Sequence, residues 1–349
     1  MALGEELTVI WGPNGAGKTN LIEALYLACT GRSCRTARER ELIRFGFEAA
    51  RVELLTRGSD GAHRLTVGID ARGKRLQVDG AAVAALGNSS ARPLVTVFLP
   101  DRLELVKGAP ALRRAHLDQL VAALWPARSQ GRRLYSQALA QRNALISRIR
   151  AGRASVGSLA SWDLQLARTG LELMADRKRA VAALRSRYLM ACERLRLGGE
   201  VSLVYRPGSR AVDARELAEE LAQHRALDLE RGFTTHGPHR DELLLGLDGR
   251  RLRDYGSQGQ QRLALLALLV AERELIASER GQPPLMLLDD VMSELDGERR
   301  LALIALLRGS GGQAVITTTD LEQIPGAGER SVRRIAVGGG QVLEEARAA

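Results

Sequence analysis

The stretch Gly-Pro-Asn-Gly-Ala-Gly-Lys-Thr at residues 12–19 decides the fold prediction, because it matches the pattern GxxxxGK followed by Ser or Thr in full. An apolar, β-branched run at residues 7–11 precedes the stretch and predicts a buried strand. The apolar residues 20–30 that follow predict a helix. In such a strand–loop–helix unit, backbone N–H groups and the helix N-terminus surround phosphate oxygens. The predicted phosphate-binding loop comprises Gly12, Pro13, Asn14, Gly15, Ala16, Gly17, Lys18 and Thr19.

Two side chains of this loop are expected to contact ATP and its metal ion. The Lys18 ammonium would reach the β- and γ-phosphates, which makes Lys18 a candidate catalytic residue. The Thr19 hydroxyl would be a ligand of Mg²⁺. A glycine-rich turn that matches the pattern by chance is the alternative interpretation. The strand before the loop and the helix after it favour the phosphate-binding site.

Residues 285–290, Leu-Met-Leu-Leu-Asp-Asp, supply the second half of the predicted site. Four apolar residues predict a buried strand, which would hold two carboxylates at its carboxyl end. Asp289 is expected to bind Mg²⁺, directly or through water, and Asp290 to act as the general base that polarises the attacking water. Taken alone, a strand that ends at a surface acidic pair explains the pattern equally well. The phosphate loop upstream favours the ATP site.

Two further segments resemble motifs of the ABC ATPases. Ser-Gln-Gly-Gln-Gln at 257–261 precedes an apolar helix predicted at 263–276 and is similar to the ABC signature, and Ser-Glu-Leu-Asp at 293–296 is similar to the D-loop. In that class, two nucleotide domains enclose two ATP molecules, and each signature serine caps the γ-phosphate held by the other subunit. The resemblance makes Ser257 a candidate catalytic residue and assigns contacts with ATP to Ser257, Gly259, Gln260 and Asp296. For 257–261 alone, an ordinary helix cap is the alternative.

The pattern along the rest of the chain predicts a split α/β protein. Residues 52–55, 64–69, 76–78 and 94–99 are strand-like. Residues 111–198 form long helical segments that include a packed helix pair or short coiled coil, and strands return after about residue 233. The predicted fold class is an ABC-type P-loop ATPase head, a mixed sheet with helices, that carries an inserted helical arm. The predicted domains are residues 1–110 (head, N-terminal part), 111–230 (helical arm) and 231–349 (head, C-terminal part).

Four stretches, at residues 18–36, 98–118, 233–243 and 287–296, resemble the RecF family beyond the shared ATPase motifs. The resemblance implies an ATP-dependent homodimer that binds double-stranded DNA at single-strand gaps and helps load recombinase in recombinational repair and replication restart. It also implies partners of the RecR and RecO type. Weak ATP hydrolysis stimulated by DNA is a further expectation.

The chain departs from the family pattern in two places. Only eleven residues precede Gly12, where the family has an earlier strand and a basic or aromatic turn, so a misassigned start or a truncation is expected. Many ABC proteins have Glu after the metal-binding Asp and His in the switch loop. Here Asp290 takes the first place, and Thr-Thr-Thr-Asp at 317–320 takes the second. These replacements lead to the hypothesis of slow hydrolysis, suited to a clamp or timer.

The charge distribution indicates a polyanionic partner. The formal net charge of the 349-residue chain is +10, and residues 126–200, with 14 Arg and one Lys against five acids, account for all of it. Duplex backbone is favoured over single strands because aromatic residues make up only 3% of the chain. A solvated helix face explains the charges equally well. The candidate phosphate contacts are Arg132, Arg133, Arg142, Arg148, Arg150 and Arg153.

The composition and the cysteine and histidine positions also bear on the cellular location of the protein and on metal binding. No stretch approaches the roughly 20 apolar residues of a membrane span, and the first residues lack a secretory signal, so a cytoplasmic protein without membrane association is expected. Three cysteines fit neither a disulfide framework nor a repeated CxxC site. His236 and His239 lie in a Gly/Pro segment that favours a loop role over zinc binding.

Three other functions remain open from the sequence. The first is an SMC-like DNA clamp with negligible ATP turnover, which would keep the same site. The second is the nucleotide-binding subunit of an ABC transporter, against which the RecF-like stretches and the basic arm argue. The third is a P-loop protein whose basic arm binds an acidic protein.

Overall fold

The computed structural model describes residues 1–58, 61–89, 91–99 and 103–347. Residues 100–102, within the RecF-like stretch 98–118, lie outside the described residues. The strands are β1 (Leu7–Trp11), β2 (Ala50–Gly58), β3 (Gly61–Asp70), β4 (Gly73–Val78), β5 (Ala81–Ala82), β6 (Val95–Phe98), β7 (Val201–Arg206), β8 (Glu242–Leu247), β9 (Arg250–Arg251), β10 (Leu285–Leu288), β11 (Ala314–Thr318), β12 (Val332–Gly338) and β13 (Gln341–Arg347). The α-helices are α1 (Lys18–Thr30), α2 (Glu104–Lys107), α3 (Pro110–Leu124), α4 (Gly131–Arg150), α5 (Leu159–Arg194), α6 (Ala214–Gln223), α7 (Arg225–Arg231), α8 (Leu252–Tyr255), α9 (Gln258–Arg280) and α10 (Gly297–Gly309). Within the described residues, none of these helices combines the length and the apolar content that crossing a membrane requires.

The chain divides into two compact units. The first comprises Met1–Arg102 and Ile276–Ala349, and the second comprises Leu103–Leu275. Residues 231–275, which the sequence assigns to the ATPase head, group with the middle of the chain because β8 pairs with β7 from Val201↔Leu247 to Arg206↔Glu242. The division into head and arm at residues 110 and 230 stays a prediction.

The first unit is built on a six-stranded sheet of order β13-β12-β1-β11-β10-β6. All neighbouring strands are parallel except β12 and β13, which are antiparallel. Strand β11 lies between β1 and β10, with Trp11 opposite Thr318 and Leu288 opposite Ile316. In such a sheet the carboxyl ends of parallel strands share one edge, where ligands bind. The phosphate loop after β1 and the acidic pair after β10 therefore lie at the same edge.

Helix α1 fixes the position of the loop because it packs on two faces. Ile22 and Leu25 join the core of the six-stranded sheet. Leu27 packs instead with Leu65 and Val67 of β3, in the antiparallel sheet of order β2-β3-β4-β5. A helix that is apolar on more than one face is buried. The predictions of strands near 52–55, 64–69, 76–78 and 94–99 are confirmed by β2, β3, β4 and β6.

The second unit contains the predicted helix pair. Tyr135 and Ala138 of α4 pack against Leu166 and Ala167 of α5, and α6 joins the same core. The prediction that strands return only after about residue 233 is wrong, because β7 already begins at Val201. The alternation of residues 201–206 is that of a strand, and β7, β8 and β9 form a three-stranded antiparallel sheet.

A fully buried ion cluster holds the helices of this second unit together. The Arg142 side chain is 0% exposed and its nitrogens lie 2.7 Å from Asp163 Oδ1 and 2.6 Å from Asp228 Oδ2. A third donor contact joins Arg142 to the Thr234 hydroxyl at 2.7 Å. The cluster connects α4, α5 and α7, which are distant in sequence. Arg142, one of the candidate DNA contacts, is therefore a core residue, and that assignment is wrong.

Candidate ATP-binding site

The phosphate loop has a backbone that only glycine provides at its two ends. A Cβ at Gly12 would lie 2.1 Å from the carbonyl oxygen of Val337, so the loop can approach β12 only without a side chain. Gly17 has φ 100° where α1 begins, in the left-handed region that glycine adopts at least cost. The loop therefore curves back and directs the N-terminus of α1 toward its own concave side.

Lys18 lies inside this curve and is 8% exposed. Its Nζ donates hydrogen bonds to the carbonyl oxygens of Gly12 at 2.7 Å and Pro13 at 3.0 Å. An ammonium group carries three donors, so one donor is left for a phosphate oxygen. The two loop carbonyls thus fix the ammonium where an anion can reach it.

Replacing Lys18 with alanine is expected to weaken ATP binding by at least about tenfold, because a hydrogen bond to a charged group contributes about 1.5–3 kcal/mol. The dissociation constant is measured by calorimetric titration with a non-hydrolysable ATP analogue. Lys178→Ala, at an exposed position of α5, is the matched control and should bind ATP as the wild type does. Equal affinity of the Lys18 variant and the control would contradict the assignment.

The metal-binding candidates meet at the sheet edge. The Thr19 hydroxyl donates to Asp289 Oδ2 at 2.8 Å, and Asp289 is 5% exposed. The other carboxylate oxygen, Oδ1, accepts from the Thr317 hydroxyl at 2.6 Å. Hydroxyl and carboxylate oxygens are the ligands that Mg²⁺ prefers. The donor set therefore fits a magnesium ion bound by Thr19 and Asp289.

Thr317 is a site residue whose contacts sequence analysis missed. Its O–H donates a hydrogen bond to Asp289, and its oxygen accepts one from the backbone N–H of Asp290 at 2.9 Å. Both Thr317 and Thr318 are fully buried in β11. One hydroxyl thus orients both residues of the acidic pair. The assignment of residues 317–320 to the switch-loop position was the available sequence signal, but it did not specify which residues Thr317 contacts.

Asp290 adopts an uncommon conformation at the end of β10. Its φ is 49°, in the left-handed region that Asp and Asn enter more readily than most residues. Its carboxylate oxygen Oδ1 is buried and has no hydrogen-bond partner among the described residues. A buried acceptor of this kind is costly unless a ligand or water satisfies it. The observation fits a carboxylate that hydrogen-bonds a water molecule.

The signature segment caps a helix. The Ser257 backbone N–H donates to Gln260 Oε1 at 2.8 Å, and the Gln260 backbone N–H donates to Ser257 Oγ at 3.2 Å. This reciprocal capping box starts α9, and Ser257, Gln258 and Gly259 are exposed. The helix-cap interpretation is thus correct for the isolated chain. The exposed helix N-terminus also leaves backbone N–H groups available to an anion.

Asp296 likewise serves as a cap. Its carboxylate accepts from the backbone N–H of Arg299 at 2.9 Å at the start of α10. The residue lies in the first unit, six residues after Asp290. Contact between Asp296 and ATP stays a prediction.

The loop at 234–241 is held by polar contacts within the second unit. His239 accepts from the Tyr135 hydroxyl through Nδ1 at 2.7 Å and donates through Nε2 to the Thr234 carbonyl at 2.9 Å. Burial lowers the pKa of His239 to about 4, so the ring is neutral near pH 7. The described residues contain no cluster of three or more His, Cys, Asp or Glu side chains that could hold a metal ion. Both ring nitrogens of His239 are engaged in fixing the loop.

The other candidate DNA contacts differ from Arg142 in exposure. Arg133, Arg148 and Arg150 are exposed on α4, and Arg153 is exposed just after it. Arg132 is also exposed, although its guanidinium lies 3.5 Å from Asp118. These five are called the exposed arginines of α4 and its C-terminal end.

Together, a strand–loop–helix unit on a mainly parallel sheet and an acidic strand two places away define the class of the molecule, an ABC/SMC-type P-loop ATPase head. The family described as "RecF/RecN/SMC N terminal domain" matches residues 1–338. The chain is 40% identical over 344 residues to the "DNA replication and repair protein RecF" of Anaeromyxobacter sp. (strain Fw109-5), covering 96% of this chain and 92% of the relative. It is 36% identical to the protein of the same name from Moorella thermoacetica, covering 91% and 85%. The chain belongs to the RecF/RecN/SMC N-terminal domain family, and the predicted resemblance to RecF is confirmed.

Solved structures agree with this family. The "recombination mediator protein RecF-ATPrS in RecFOR pathway" matches with a TM-score of 0.84 and 28% identity, covering 99% of this chain and 93% of the other. An SMC head bound to the C-terminal winged-helix domain of ScpA matches with a TM-score of 0.58 at 16% identity, covering 98% and 91%, and so shows the fold alone. The predicted fold class is confirmed.

Proposed function

We propose that the chain is an ATP-dependent DNA-binding protein of recombinational repair that dimerises on ATP and binds duplex DNA at single-strand gaps. The observation that carries the proposal is the contact of Thr19 with Asp289, 270 residues apart, at 2.8 Å. It joins the phosphate loop and the acidic strand into one site, in a chain 40% identical to a DNA replication and repair protein. The RecF structures described with ATP support ATP as the nucleotide.

The residues of the first unit have distinct roles in this proposal. The loop 12–19 and the N-terminus of α1 bind the phosphates, and Lys18 adds a positive charge at their inner side. Thr19 and Asp289 hold Mg²⁺, which neutralises charge on the phosphates. Thr317 orients both acids, and Asp290 accepts a proton from the attacking water.

The second half of the site is proposed to come from another copy of the chain. Ser257, Gly259 and Gln260 stand at the exposed start of α9, and a helix N-terminus attracts anions. In a symmetric dimer, each of two equivalent ATP molecules would bind between the phosphate loop of one protomer and the signature of the other. Asp296 would lie at the same interface. Dimerisation therefore depends on ATP in this proposal.

The exposed arginines of α4 and its C-terminal end are proposed to contact the DNA backbone. These five arginines supply charge without stacking groups, so DNA binding should be nearly independent of sequence and sensitive to salt. Partners of the RecR and RecO type are proposed from the family alone. The SMC-like clamp differs from this function in turnover, which the hydrolysis measurement in the Discussion decides.

The Ser257→Arg variant tests the composite site. We expect it to bind ATP within about threefold of the wild-type affinity, because Ser257 does not contact the ATP of its own protomer. We expect it to lose ATP-dependent dimerisation and ATP-dependent binding to a gapped duplex. Light scattering and fluorescence anisotropy measure the two properties with and without ATP.

Two control variants make this experiment specific. Ser136→Arg adds the same charge at an exposed position of α4 and should still dimerise. Ser257→Ala removes the cap, at a cost of about 1 kcal/mol in stability, without adding bulk. A Ser257→Arg protein that dimerises normally with ATP would rule out a signature that acts across the interface.

A further inference from the structure

The second unit contains a cavity of about 360 Å³ that the ATP site does not use. Its volume lies within the range of ligand-binding pockets, about 300–1,000 Å³. The cavity is lined by segments far apart in sequence: the start of α3, the end of β7, the loop before β8, and β9. Each of these segments contributes one arginine, namely Arg114, Arg206, Arg240 and Arg251.

The charge of this arginine pocket is not neutralised by its own walls. Glu242 is the one acidic side chain of the described lining, and both of its oxygens are held by Arg113, at 2.7 and 3.2 Å. Arg206 and Arg251 are exposed, and neither forms an ion pair with any carboxylate that the structure describes. Four arginines therefore line a small volume whose one described acidic side chain is already paired, and the Arg240 guanidinium also lies over the Phe233 ring, 5.6 Å from its centroid.

Arg114 is half-buried, whereas the other three arginines of the lining are exposed. Its Nη1 donates to the Asp241 carbonyl at 3.0 Å, which fixes the guanidinium in place. Burial and the nearby Arg177 charge lower the pKa of Arg114, so its surroundings disfavour a further positive charge. An anion in the pocket would offset the repulsion between Arg114 and Arg177.

Helix α3 adds a second source of positive potential. The helix has 15 residues, begins with Pro110 at its first position, and has no side-chain cap among the described residues. Ala109, Pro110 and Ala111 line the cavity, so the helix N-terminus faces it. Pro110 has no N–H and the Leu112 N–H already donates to the Ala109 carbonyl at 3.0 Å, so the helix contributes mainly the positive end of its dipole.

We infer that the arginine pocket binds a phosphate monoester, such as the terminal phosphate of a nucleotide or of a DNA strand. A monoester carries about 1.5–2 negative charges near pH 7 and three acceptor oxygens, which suits several converging arginines. A single carboxylate carries one charge and would leave most of the guanidinium groups unmatched.

The small-molecule arm of the test does not depend on the proposed function. The full chain is saturated with a non-hydrolysable ATP analogue, so that the phosphate loop is filled, and ribose 5-phosphate and ribose are titrated in parallel by calorimetry. Ribose 5-phosphate is expected to bind at least about tenfold more tightly than ribose, because one charged hydrogen bond is worth about that factor. The double variant Arg206→Ala/Arg251→Ala should reduce this preference to within about twofold.

The DNA arm of the test rests on the proposed function. It uses two duplexes with recessed 5′ ends, one carrying a 5′-phosphate and the other a 5′-hydroxyl. Wild type is expected to prefer the phosphorylated end by about tenfold or more, and the double variant to lose the preference. Arg168→Ala removes one charge at an exposed position of α5, outside the pocket. This variant should keep the preference for the phosphorylated end. ATP-dependent dimerisation and binding of the hydroxyl duplex are recorded on the same samples. Loss of those two properties would count against the proposed function and leave the small-molecule arm intact.

The outcomes separate the possible ligands. Binding of ribose 5-phosphate without preference between the duplexes assigns the pocket to free phosphorylated compounds, and preference in the DNA arm assigns it to strand ends. No phosphate preference in either arm, or a preference that survives in the double variant, overturns the inference. A glutamate-rich peptide that displaces ribose 5-phosphate at equal concentration would also overturn it, in favour of an acidic protein partner.

Discussion

The Asp290→Asn variant is expected to hydrolyse ATP about 10²–10⁴-fold more slowly than the wild type, the range that a general base contributes. The carboxylate oxygen Oδ1 is buried without a described hydrogen-bond partner, and an amide in its place cannot accept the proton of the attacking water. Asparagine tolerates the φ of 49°, so the backbone should not change. The affinity for ATP should stay within about threefold, because the contacts of Lys18, Thr19 and Asp289 remain. Phosphate release in a single turnover, with and without duplex DNA, measures the rate.

A matched control exists elsewhere in the chain. Asp248 has φ 51° and is exposed, so Asp248→Asn repeats the same chemical change in the same conformation outside the site. The control should hydrolyse ATP at the wild-type rate. Wild-type turnover no faster than the protein-free background would favour the SMC-like clamp and remove the role of Asp290. Equal rates for Asp290→Asn and wild type would assign the proton to another acceptor.

The Arg142→Ala variant is expected to lower the free energy of unfolding by about 3–5 kcal/mol, the loss typical of one partner removed from a buried ion pair. Arg142 is 0% exposed and its removal takes the cation away from two buried carboxylates, Asp163 and Asp228. Arg225 still contacts Asp163, whereas the described ion pairs of Asp228 involve Arg142 alone. Urea unfolding followed by circular dichroism measures the difference.

The exposed Arg148 on the same helix is the control for this substitution. Arg148→Ala should change stability by no more than about 0.5 kcal/mol, as is usual for surface substitutions. For the affinity for DNA the order should reverse. Arg148→Ala should weaken DNA binding more than Arg142→Ala does, because only Arg148 can contact a phosphate directly. A loss below about 1 kcal/mol in Arg142→Ala would mean that the cluster contributes no more than an exposed ion pair does.

Much of the candidate ATP site could be predicted because its parts are local or belong to recognisable strands. The loop at 12–19 depends on glycines and a lysine in one continuous stretch. Four apolar residues predict the strand that precedes Asp289 and Asp290. Two such units on a parallel sheet necessarily bring their carboxyl ends to one edge. The contacts of Thr317 were not predictable in this way, because β-branched residues favour any strand and the identity of the neighbour strand is set by the sheet order.

The arginines of α4 show where charge patterning fails. Arg142 and Arg148 carry the same charge and both lie in the basic segment, so charge alone does not distinguish them. One is fully buried and the other exposed, because the acids that pair with Arg142 come from α5 and α7, 21 and 86 residues later. A charged side chain is buried only when such partners are present.

The sequence by itself determined the phosphate loop, the acidic strand, the helix pair and the family, since each rests on contiguous residues whose backbone preferences and spacing are local. The tertiary structure alone decided that Thr317 bridges Asp289 and Asp290, that Arg142 is a core residue, and that four arginines from four segments share one pocket. These facts depend on which distant segments pack together. Packing sets the burial and electrostatic environment of each side chain, which its neighbours in sequence do not specify.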